Sequence, residues 1–363
     1  MRARQAPEES GGRSVTESAR VEMRIVQVTN GEDEKRWDLY VGPRAASVLD
    51  LCAWRRIVRE VYGMSSHFIA AVEEDRIVGT LGLFEVKHPL LGHYLATAPF
   101  GNDGGLYVDN AAAQAALASE ARDVADRLKV DYLVVRSRDV DLEGFQVDRR
   151  YSTALIDLEG GAEAVWKRLP AKTRNQVRRG MKEGFVVATG PAQLGPFFDV
   201  FHAHMRDLGS PAHSRRYYES IVEHLGDRCE FLVVRDGSDV AAGALLFWIN
   251  GTTMNYHTVA LRKYNRRCPN YLIYWTMIEA SCARGSQWFD MGRSQTDSPN
   301  FKFKLNWGPQ PVTLHYNYYL RTAKEIPYVY HKNLKYRIPI AVWRTLPLFV
   351  TRRLGPRLIW GLV

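Results

Sequence analysis

Cysteines are few in this sequence, and long apolar runs are absent. The 363 residues include four cysteines, Cys52, Cys229, Cys268 and Cys282, and no two of them form a C-x-x-C pair. In a chain of this length such a set is typical of reduced, buried thiols, so we expect a cytoplasmic protein. No run of about 18 apolar residues occurs, and residues 1–22 have no apolar segment of the signal-peptide kind. The sequence therefore predicts neither a signal peptide nor a membrane-spanning helix.

Several common site motifs are also missing. The sequence contains no G-x-S-x-G, Walker or G-x-G-x-x-G pattern, which argues against a nucleophile elbow, a P-loop and a dinucleotide-binding turn. His202 and His204 are two residues apart on a predicted helix, so their side chains face different ways. We therefore expect no metal site.

The composition is that of a folded, basic protein. Hydrophobic residues make up 46% of the chain and aromatic residues 11%, which is enough for large cores. The net charge of +9 favours an anionic partner, whether nucleic acid, a phosphorylated carrier or an anionic membrane surface. The length favours two domains. We expect a disordered segment at 1–22, domains at 23–150 and 151–325, and a separate tail at 326–363.

Both predicted domains mix strands and helices, which indicates an α/β (α+β) fold with mixed central sheets flanked by helices. The first is expected to contain strands at 24–28, 37–41, 68–72, 77–84, 94–98 and 132–136, helices at 47–61 and 110–128, and a glycine-rich loop at 99–105. The second repeats this order with strands at 153–158, 231–234, 240–249, 252–261, 288–291 and 313–320. Its helices are expected at 162–184, with an interruption at Pro170, and at 196–207, 217–225 and 270–283. Asn250-Gly251 is a strong hairpin signal. The repeat is one of element order and not of sequence.

The tail is basic and apolar. Residues 332–363 contain seven lysines and arginines and no acidic residue, interleaved with large apolar side chains. This pattern favours an amphipathic segment lying on an anionic membrane face. The alternative is a C-terminal helix packed on the second domain with its basic edge in water.

Two short stretches concentrate the chemistry. Residues 288–294 read as a buried strand that ends in a Gly-Arg-Ser turn, and residues 301–308 combine aromatic rings with two lysines. A carboxylate inside an apolar strand, as at Asp290, costs folding free energy unless it is paired with a partner or has a function in the site. If residues 301–308 are extended, Lys302 and Lys304 point the same way. Together with Arg293 and Ser294, these groups indicate a site for an anionic or acyl-bearing substrate; the alternative is a surface hairpin with solvated lysines.

Four motifs in order resemble the FemAB-like branch of the GNAT acyltransferase superfamily. They are residues 172–184, 205–211, 290–294 and 301–308, and the closest resemblance is to the BioF2-like, exosortase-associated FemAB type. The resemblance spans about residues 24–320. It implies two tandem GNAT-like domains, at 23–150 and 151–325, and transfer of an acyl or aminoacyl group to an amine. It also implies that Lys304 stabilises the charge that develops at the reacting carbonyl.

The resemblance leaves the donor open between acyl-CoA and aminoacyl-tRNA as co-substrate, with no bound cofactor. FemAB enzymes that use tRNA often carry a long helical arm, and the region 198–225 is too short for one. GNAT enzymes that use coenzyme A have a glycine-rich phosphate loop, and the corresponding residues 262–270 contain no glycine. Arg266, Arg267 and a helix start at Asn270 still offer a phosphate site.

The remaining candidates are a base and binding residues. Asp290 is one candidate for the base that takes the amine proton, and His257, whose ordinary pKa lies near neutrality, is the other. Substrate contacts are expected from Tyr256, from Asn102 and Asp103 in the glycine-rich loop, and from a basic helix face. That face consists of Arg174, Asn175, Arg178 and Lys182.

The sequence thus supports three functions. The first is an N-acyltransferase at the cytoplasmic membrane face, acting on a peptidoglycan precursor, an exopolysaccharide amino sugar or an amino lipid. The second is an acyl-CoA-dependent enzyme that makes a lipid amide. The third is a catalytically inactive double-domain scaffold that binds an anionic polymer. DNA is not expected as a partner, because the basic helix face has no interleaved aromatic residues.

Overall fold

A computed structural model describes residues 23–89, 91–327 and 334–362, with the backbone alone at 334–336. The predicted disordered segment 1–22 lies outside the described residues, as does Lys332 of the tail. The first unit contains β1 (Arg24–Gln27), α1 (Gly31–Val41), α2 (Cys52–Tyr62), β2 (Ser66–Glu73), β3 (Arg76–His88), β4 (Gly92–Ala96), β5 (Leu106–Val108), α3 (Ala111–Leu128) and β6 (Tyr132–Ser137).

The second unit and the tail follow. They contain β7 (Gln146–Asp157), α4 (Gly161–Arg168), α5 (Ala171–Lys182), β8 (Val186–Thr189), α6 (Leu194–Leu208), α7 (Arg215–Leu225), β9 (Cys229–Asp236), β10 (Asp239–Ile249), β11 (Thr252–Ala260), α8 (Pro269–Ala283), β12 (Trp288–Asp290), β13 (Ser294–Gln295), α9 (Pro299–Leu305), β14 (Gln310–Leu320), α10 (Leu334–Thr345) and α11 (Leu348–Ile359). Within the described ranges no helix is long and apolar enough to cross a membrane.

Local sequence signals explain most of these elements. The Asn110 side chain accepts a hydrogen bond from the backbone N–H of Ala113 at 2.8 Å, so it caps α3 as predicted. The β10–β11 hairpin turns at Asn250 and Gly251, which both have positive φ (46° and 68°) as a tight two-residue hairpin turn requires. The predicted α/β fold class is confirmed.

One predicted strand is a helix. Residues 37–41, expected to be extended, form the end of α1. The reason is a capping box that the sequence interpretation missed: the Asn30 side chain accepts from the backbone of Asp33, and the Asp33 side chain accepts from the backbone of Asn30. The predicted helix at 47–61 is also divided, because Ser47 caps a 3-10 turn at Val48–Asp50 and α2 begins at Cys52.

The segment that carries the two lysines is helical and not extended. Ser298 accepts from the N–H of Phe301 at 3.1 Å and Pro299 occupies the first turn, so a helix begins here. Phe301, Lys304 and Trp307 are spaced by three residues and are all buried. Lys302 is exposed on the other side. The two lysines therefore do not share a face.

The two units share one continuous sheet. Its strand order is β1-β2-β3-β4-β6-β14-β7-β12-β11-β10-β9-β8, with β5 beside β3 and β13 beside β7. The last strand, β14, lies antiparallel between β6 of the first unit and β7 of the second. The tandem plan is confirmed, while the exact domain limits at 150 and 325 stay a prediction.

Buried side chains hold β14 in this central position. Asn317 on β14 is fully buried. Its Oδ1 accepts from the N–H of Leu142 at 2.8 Å, and its Nδ2 donates to the carbonyl of Val140 at 2.9 Å and to that of Val135 at 3.3 Å. The side chain thus bonds backbone groups in and after β6, among them the N–H of the buried residue Leu142.

We expect Asn317→Ala to lower the free energy of unfolding by about 1–3 kcal/mol, because it removes the side-chain partner of the N–H of buried Leu142. Urea denaturation measures this change. The control is Asn306→Ala, at an exposed position, which should change stability by less than about 0.5 kcal/mol. Equal effects of the two substitutions would contradict the bridging role of Asn317.

Candidate functional site

The central sheet opens where β11 and β12 part. The two strands run parallel only over Thr252–Met254 and Trp288–Asp290. Beyond that point the chain turns at Gly292, which has a φ of 79°, and β13 then pairs with β7. In the described chain β11 continues to Ala260 with β10 as its neighbour. A gap therefore forms in the sheet beyond Met254.

Lys304 places its ammonium at this gap. Its Nζ donates to the carbonyl oxygen of Gly292 at 2.6 Å and to that of Arg293 at 3.2 Å. The residue is only 3% exposed. Burial lowers the pKa of Lys304 to about 8; the Asp290 carboxylate opposes this shift, and the Arg293 charge adds to it. An ammonium with this pKa is protonated at neutral pH and is close to releasing its proton.

Asp290 is buried and fully engaged. Its carboxylate accepts from the hydroxyl of Thr153, from the N–H of Gly292 at 2.8 Å and from Nη2 of Arg138 at 2.9 Å. These donors favour a fixed carboxylate that orients the turn at Gly292. The role of Asp290 as a base stays a prediction.

Arg138 is a central residue that the sequence interpretation missed. It follows β6, and its Nε donates to Asp103 Oδ2 at 2.6 Å while its Nη2 reaches Asp290. Burial raises the pKa of Asp103, and the Arg138 charge opposes that rise. One guanidinium thus joins the glycine-rich loop of the first unit to β12 of the second. Arg136-Ser-Arg138 at the end of a buried strand was the signal that could have indicated it.

A second acid under the same loop was also missed. Asp50 is buried, and it accepts from the N–H of Gly105 at 2.7 Å and from the hydroxyl of Tyr107 at 2.6 Å. Burial raises the pKa of Asp50 to about 7. A Cβ added to Gly104 would lie 2.1 Å from Asp50 Oδ1, so the acid needs glycine in the loop above it. Asp50 therefore holds the loop in place from below.

The opposite side of the gap contains Asn102 and Arg293. The Tyr316 hydroxyl on β14 donates to the carbonyl of Asn102 at 2.6 Å and accepts from Nη1 of Arg293 at 2.9 Å. The Arg293 guanidinium also lies over the Tyr151 ring, 5.0 Å from its centroid. The structure thus brings Asn102, Asp103, Asp290, Arg293 and Lys304 together, as predicted for one site with residues from both units.

Other candidates lie elsewhere. His257 packs against Phe201 with ring centroids 4.6 Å apart, and burial lowers its pKa to about 3. The Tyr256 hydroxyl shares a hydrogen bond with that of Tyr217 at 2.5 Å. Both side chains therefore belong to an aromatic cluster with α6 and α7. His257 is accordingly a neutral imidazole with low basicity, while its catalytic role and the binding role of Tyr256 stay predictions.

Ser294 and Lys302 flank the site. The Ser294 hydroxyl accepts from Nδ2 of Asn300 at 3.1 Å, which ties the turn to the first turn of α9. Lys302 points into solvent from the exposed side of that helix. Neither side chain contacts the group formed by Lys304 and Asp290 in the described chain.

The basic face of α5 is on the surface. Asn175, Arg178 and Lys182 are exposed, and Arg174 Nη1 donates to the carbonyl of Lys167 at 3.0 Å. A Cβ added to Gly180 would lie 2.9 Å from the carbonyl oxygen of Cys268, so α5 packs closely against the start of α8.

The predicted donor-phosphate residues are near that helix start. Arg267 is engaged by two acids, with its Nε 2.9 Å from Glu183 Oε2 and its Nη2 3.0 Å from Asp236 Oδ1. Arg266 is exposed, and Asn270 lies in the first turn of α8, which begins one residue earlier than expected. No group of three or more potential metal ligands occurs among the side chains that the structure describes.

Residues 168–304 match the model of the acetyltransferase (GNAT) domain family. This region has a GNAT fold. The match includes the basic face of α5, Asp290 and Lys304. A search of curated proteins found no match to the chain.

Solved structures show the same fold over most of the chain. FemX has a TM-score of 0.63 at 15% identity, covering 82% of this chain and 98% of FemX. A tandem GNAT protein from the clavulanic acid biosynthesis pathway has a TM-score of 0.55 at 14% identity, covering 81% and 98%. The C-terminal domain of a putative lysylphosphatidylglycerol synthetase from Agrobacterium fabrum has a TM-score of 0.53 at 16% identity, covering 79% and 92%. The predicted FemAB-like GNAT resemblance is confirmed.

We expect Arg138→Met to destabilise the protein by about 3 kcal/mol at neutral pH, because two buried carboxylates lose their cation. Burial already raises the pKa of Asp103 and the Arg138 charge opposes that rise, so without Arg138 the pKa of Asp103 should rise further and the loss of stability should shrink as the pH falls. Chemical denaturation at several pH values measures both effects.

The matched control is Arg149→Met, since Arg149 forms a half-exposed ion pair with Asp141. It should cost less than about 1 kcal/mol at any pH. If Arg138→Met behaves like this control, the buried bridge between the two units does not stabilise the fold.

Proposed function

We propose that this protein is an N-acyltransferase that moves an acyl or aminoacyl group to the amine of a cell-envelope acceptor. The observation that carries the proposal is the buried ammonium of Lys304 at the gap between β11 and β12 of a GNAT fold. The GNAT domain and the similar acyltransferase structures support transfer to an amine in general. The acceptor class and the role of Lys304 belong to the proposal.

Lys304 acts as the group that stabilises the oxyanion. A lysine ammonium has three N–H bonds, and Gly292 and Arg293 accept two of them. The third is directed to the carbonyl oxygen of the donor. When the amine attacks, a C–N bond forms and negative charge grows on that oxygen. A fixed donor in a site without bulk water contributes about 3 kcal/mol to such a transition state.

The rest of the step balances without a protein base. The tetrahedral intermediate collapses when the C–S bond of a thioester or the C–O bond of an aminoacyl ester breaks. The proton lost by the attacking amine passes to this leaving group, directly or through water. The engaged carboxylate of Asp290 and the low basicity of His257 support this assignment.

The donor lies along β11. Beyond Met254 this strand borders the gap, and an extended arm with amide groups can pair with a strand edge. The strand leads to residues 262–267 and the first turn of α8, where Arg266 is exposed beside the basic face of α5. Positive charge and a helix N-terminus suit the phosphates of coenzyme A or of a tRNA end.

The acceptor enters from the side of Asn102 and Arg293. Arg293 is exposed as a residue, and its positive charge suits an anionic group, while the first-unit loop supplies the opposite wall. One solved structure with this fold is a domain of a putative lysylphosphatidylglycerol synthetase. The name of that protein describes a product in which an amino acid is attached to an envelope lipid. That name supports an envelope acceptor for this chain as well.

We expect Lys304→Met to lower kcat by about 100-fold to 1000-fold, because the oxyanion loses its cation. Donors are acyl-CoA species and charged tRNAs, and acceptors are a peptidoglycan precursor, an amino sugar and a long-chain amine. Lys302→Met is the matched control and should leave kcat unchanged, since Lys302 lies on the exposed side of α9. A folded Lys304→Met variant with normal kcat would refute the role of this lysine.

The melting temperature of the protein, measured with acyl-CoA and with charged tRNA, shows which of the two donor classes binds. A ligand that binds the folded state alone stabilises it by about 2.7 kcal/mol at a hundredfold excess over its dissociation constant. A shift with acyl-CoA and none with charged tRNA identifies a thioester enzyme, and the reverse identifies a tRNA-dependent enzyme. If neither donor class raises the melting temperature and neither yields product, the proposed transfer is contradicted and a non-catalytic scaffold is favoured.

The transfer rate should depend on the protonation of Lys304. Because the pKa of this ammonium is about 8, kcat should fall as the pH rises through about 8. A separate rising limb at lower pH reports deprotonation of the acceptor amine. In Lys304→Arg the guanidinium stays charged, so the falling limb should move to higher pH. A falling limb that is unchanged in this variant would show that another group produces it.

A further inference from the structure

The two tail helices are fixed to both units of the fold. Arg352 on α11 forms an ion pair with Asp199 on α6, with Nη2 2.6 Å from Oδ1. Gly355 packs so closely on Ala212 that an added Cβ would lie 2.9 Å from its carbonyl oxygen. At the end of the tail, the Tyr94 hydroxyl of β4 donates to the carbonyl of Gly361 at 2.8 Å. The helices therefore have a fixed inner side and a fixed outer side.

The outer side of α10 combines apolar and basic residues. Ile338 and Val342 are four residues apart and are 71% and 53% exposed. Arg337 is exposed next to Ile338, whereas the Arg344 guanidinium donates to the carbonyl of Leu208 at 3.2 Å and Trp343 is buried. Large aliphatic side chains with this exposure indicate a surface that has a partner.

The outer side of α11 repeats this arrangement. Phe349 is 74% exposed, and Arg353 and Arg357 are exposed at four and eight residues beyond it, on the same face of the helix. Leu354 is exposed beside them. A phenylalanine in line with two arginines is a pattern typical of helices that lie in a membrane interface.

Charge and exposed apolar area are concentrated in this part of the chain. Residues 326–363 contain seven lysines and arginines and no acid, whereas the whole chain has 49 basic and 40 acidic residues. Of the eleven large hydrophobic residues that are exposed in the described chain, five belong to the tail. They are Ile338, Val342, Phe349, Leu354 and Leu362.

We propose that the outer sides of α10 and α11 dock on an anionic phospholipid bilayer. The aliphatic side chains and Phe349 enter the headgroup region, and the arginines bind lipid phosphates. A bilayer fits this surface better than RNA does, because RNA binding uses several stacking aromatic rings. On the tail, Trp343 is buried and Trp360 packs on His88. This binding is independent of the proposed reaction.

Vesicle flotation with the full-length protein tests the proposal without any donor or acceptor. We expect binding to phosphatidylcholine vesicles that contain phosphatidylglycerol, little binding to phosphatidylcholine alone, and weaker binding at high salt. Arg353→Glu combined with Arg357→Glu should reduce binding to anionic vesicles by about tenfold or more. Ile338→Ser combined with Phe349→Ser should reduce it even at low salt.

The control is a variant whose net charge changes by the same amount as in the Arg353→Glu, Arg357→Glu double variant. Lys35→Glu combined with Arg59→Glu alters two exposed residues of α1 and α2 and should bind vesicles like the natural sequence. Thermal unfolding confirms that each variant is folded. Equal binding to both vesicle types, or no loss in either tail variant, would overturn the proposal. If the protein does not bind vesicles but binds a single-stranded RNA of mixed sequence, and the tail variants lose this RNA binding, the partner of the tail is nucleic acid and not a bilayer.

Discussion

The insertion of β14 between β6 and β7 is the constraint on which the site depends. Without this strand the first unit would end at β6 and the second would begin at β7, with no hydrogen bonds between their sheets. Because β14 pairs with both, the glycine-rich loop of the first unit faces the turn at Gly292 in the second. The strand also supplies Tyr316, whose hydroxyl contacts Asn102 and Arg293. The sheet and the site therefore form together.

A line of charges runs along this junction. Arg138 lies between Asp103 and Asp290, so one cation serves two buried carboxylates that belong to different units. A buried ion pair of this kind is not strong evidence for stability by itself. Removing one partner is nevertheless costly, because it leaves the other charge buried and unpaired. The arrangement therefore specifies how the units meet. It also engages the carboxylate of Asp290, which accepts hydrogen bonds from Arg138, Thr153 and the N–H of Gly292.

Lys304 shows how a helix turn can bury a charge at a chosen place. Its position in α9, three residues from Phe301 and from Trp307, puts the ammonium on the apolar side of the helix. The carbonyl groups of Gly292 and Arg293 then compensate for part of the lost hydration. The part of the desolvation cost that is not compensated lowers the pKa of Lys304. A cation of this kind is suited to a charge that exists only in the transition state.

The sequence by itself determined the α/β class, most of the longer helices and strands and several local details. The cap at Asn110, the turn at Asn250-Gly251 and the buried acid at Asp290 depend on a few neighbouring residues, so local rules are sufficient for them. The motif around Lys304 indicated a lysine that the structure buries beside Gly292 and Arg293, but it suggested the wrong secondary structure, because the cap at Ser298 was overlooked. Tertiary structure alone decided the rest: the place of β14 in the sheet, and the contact between Arg138 and an acid 152 residues further along the chain. Sheet order and buried charge pairs depend on which distant segments share a low-dielectric interior, and no local pattern contains that information.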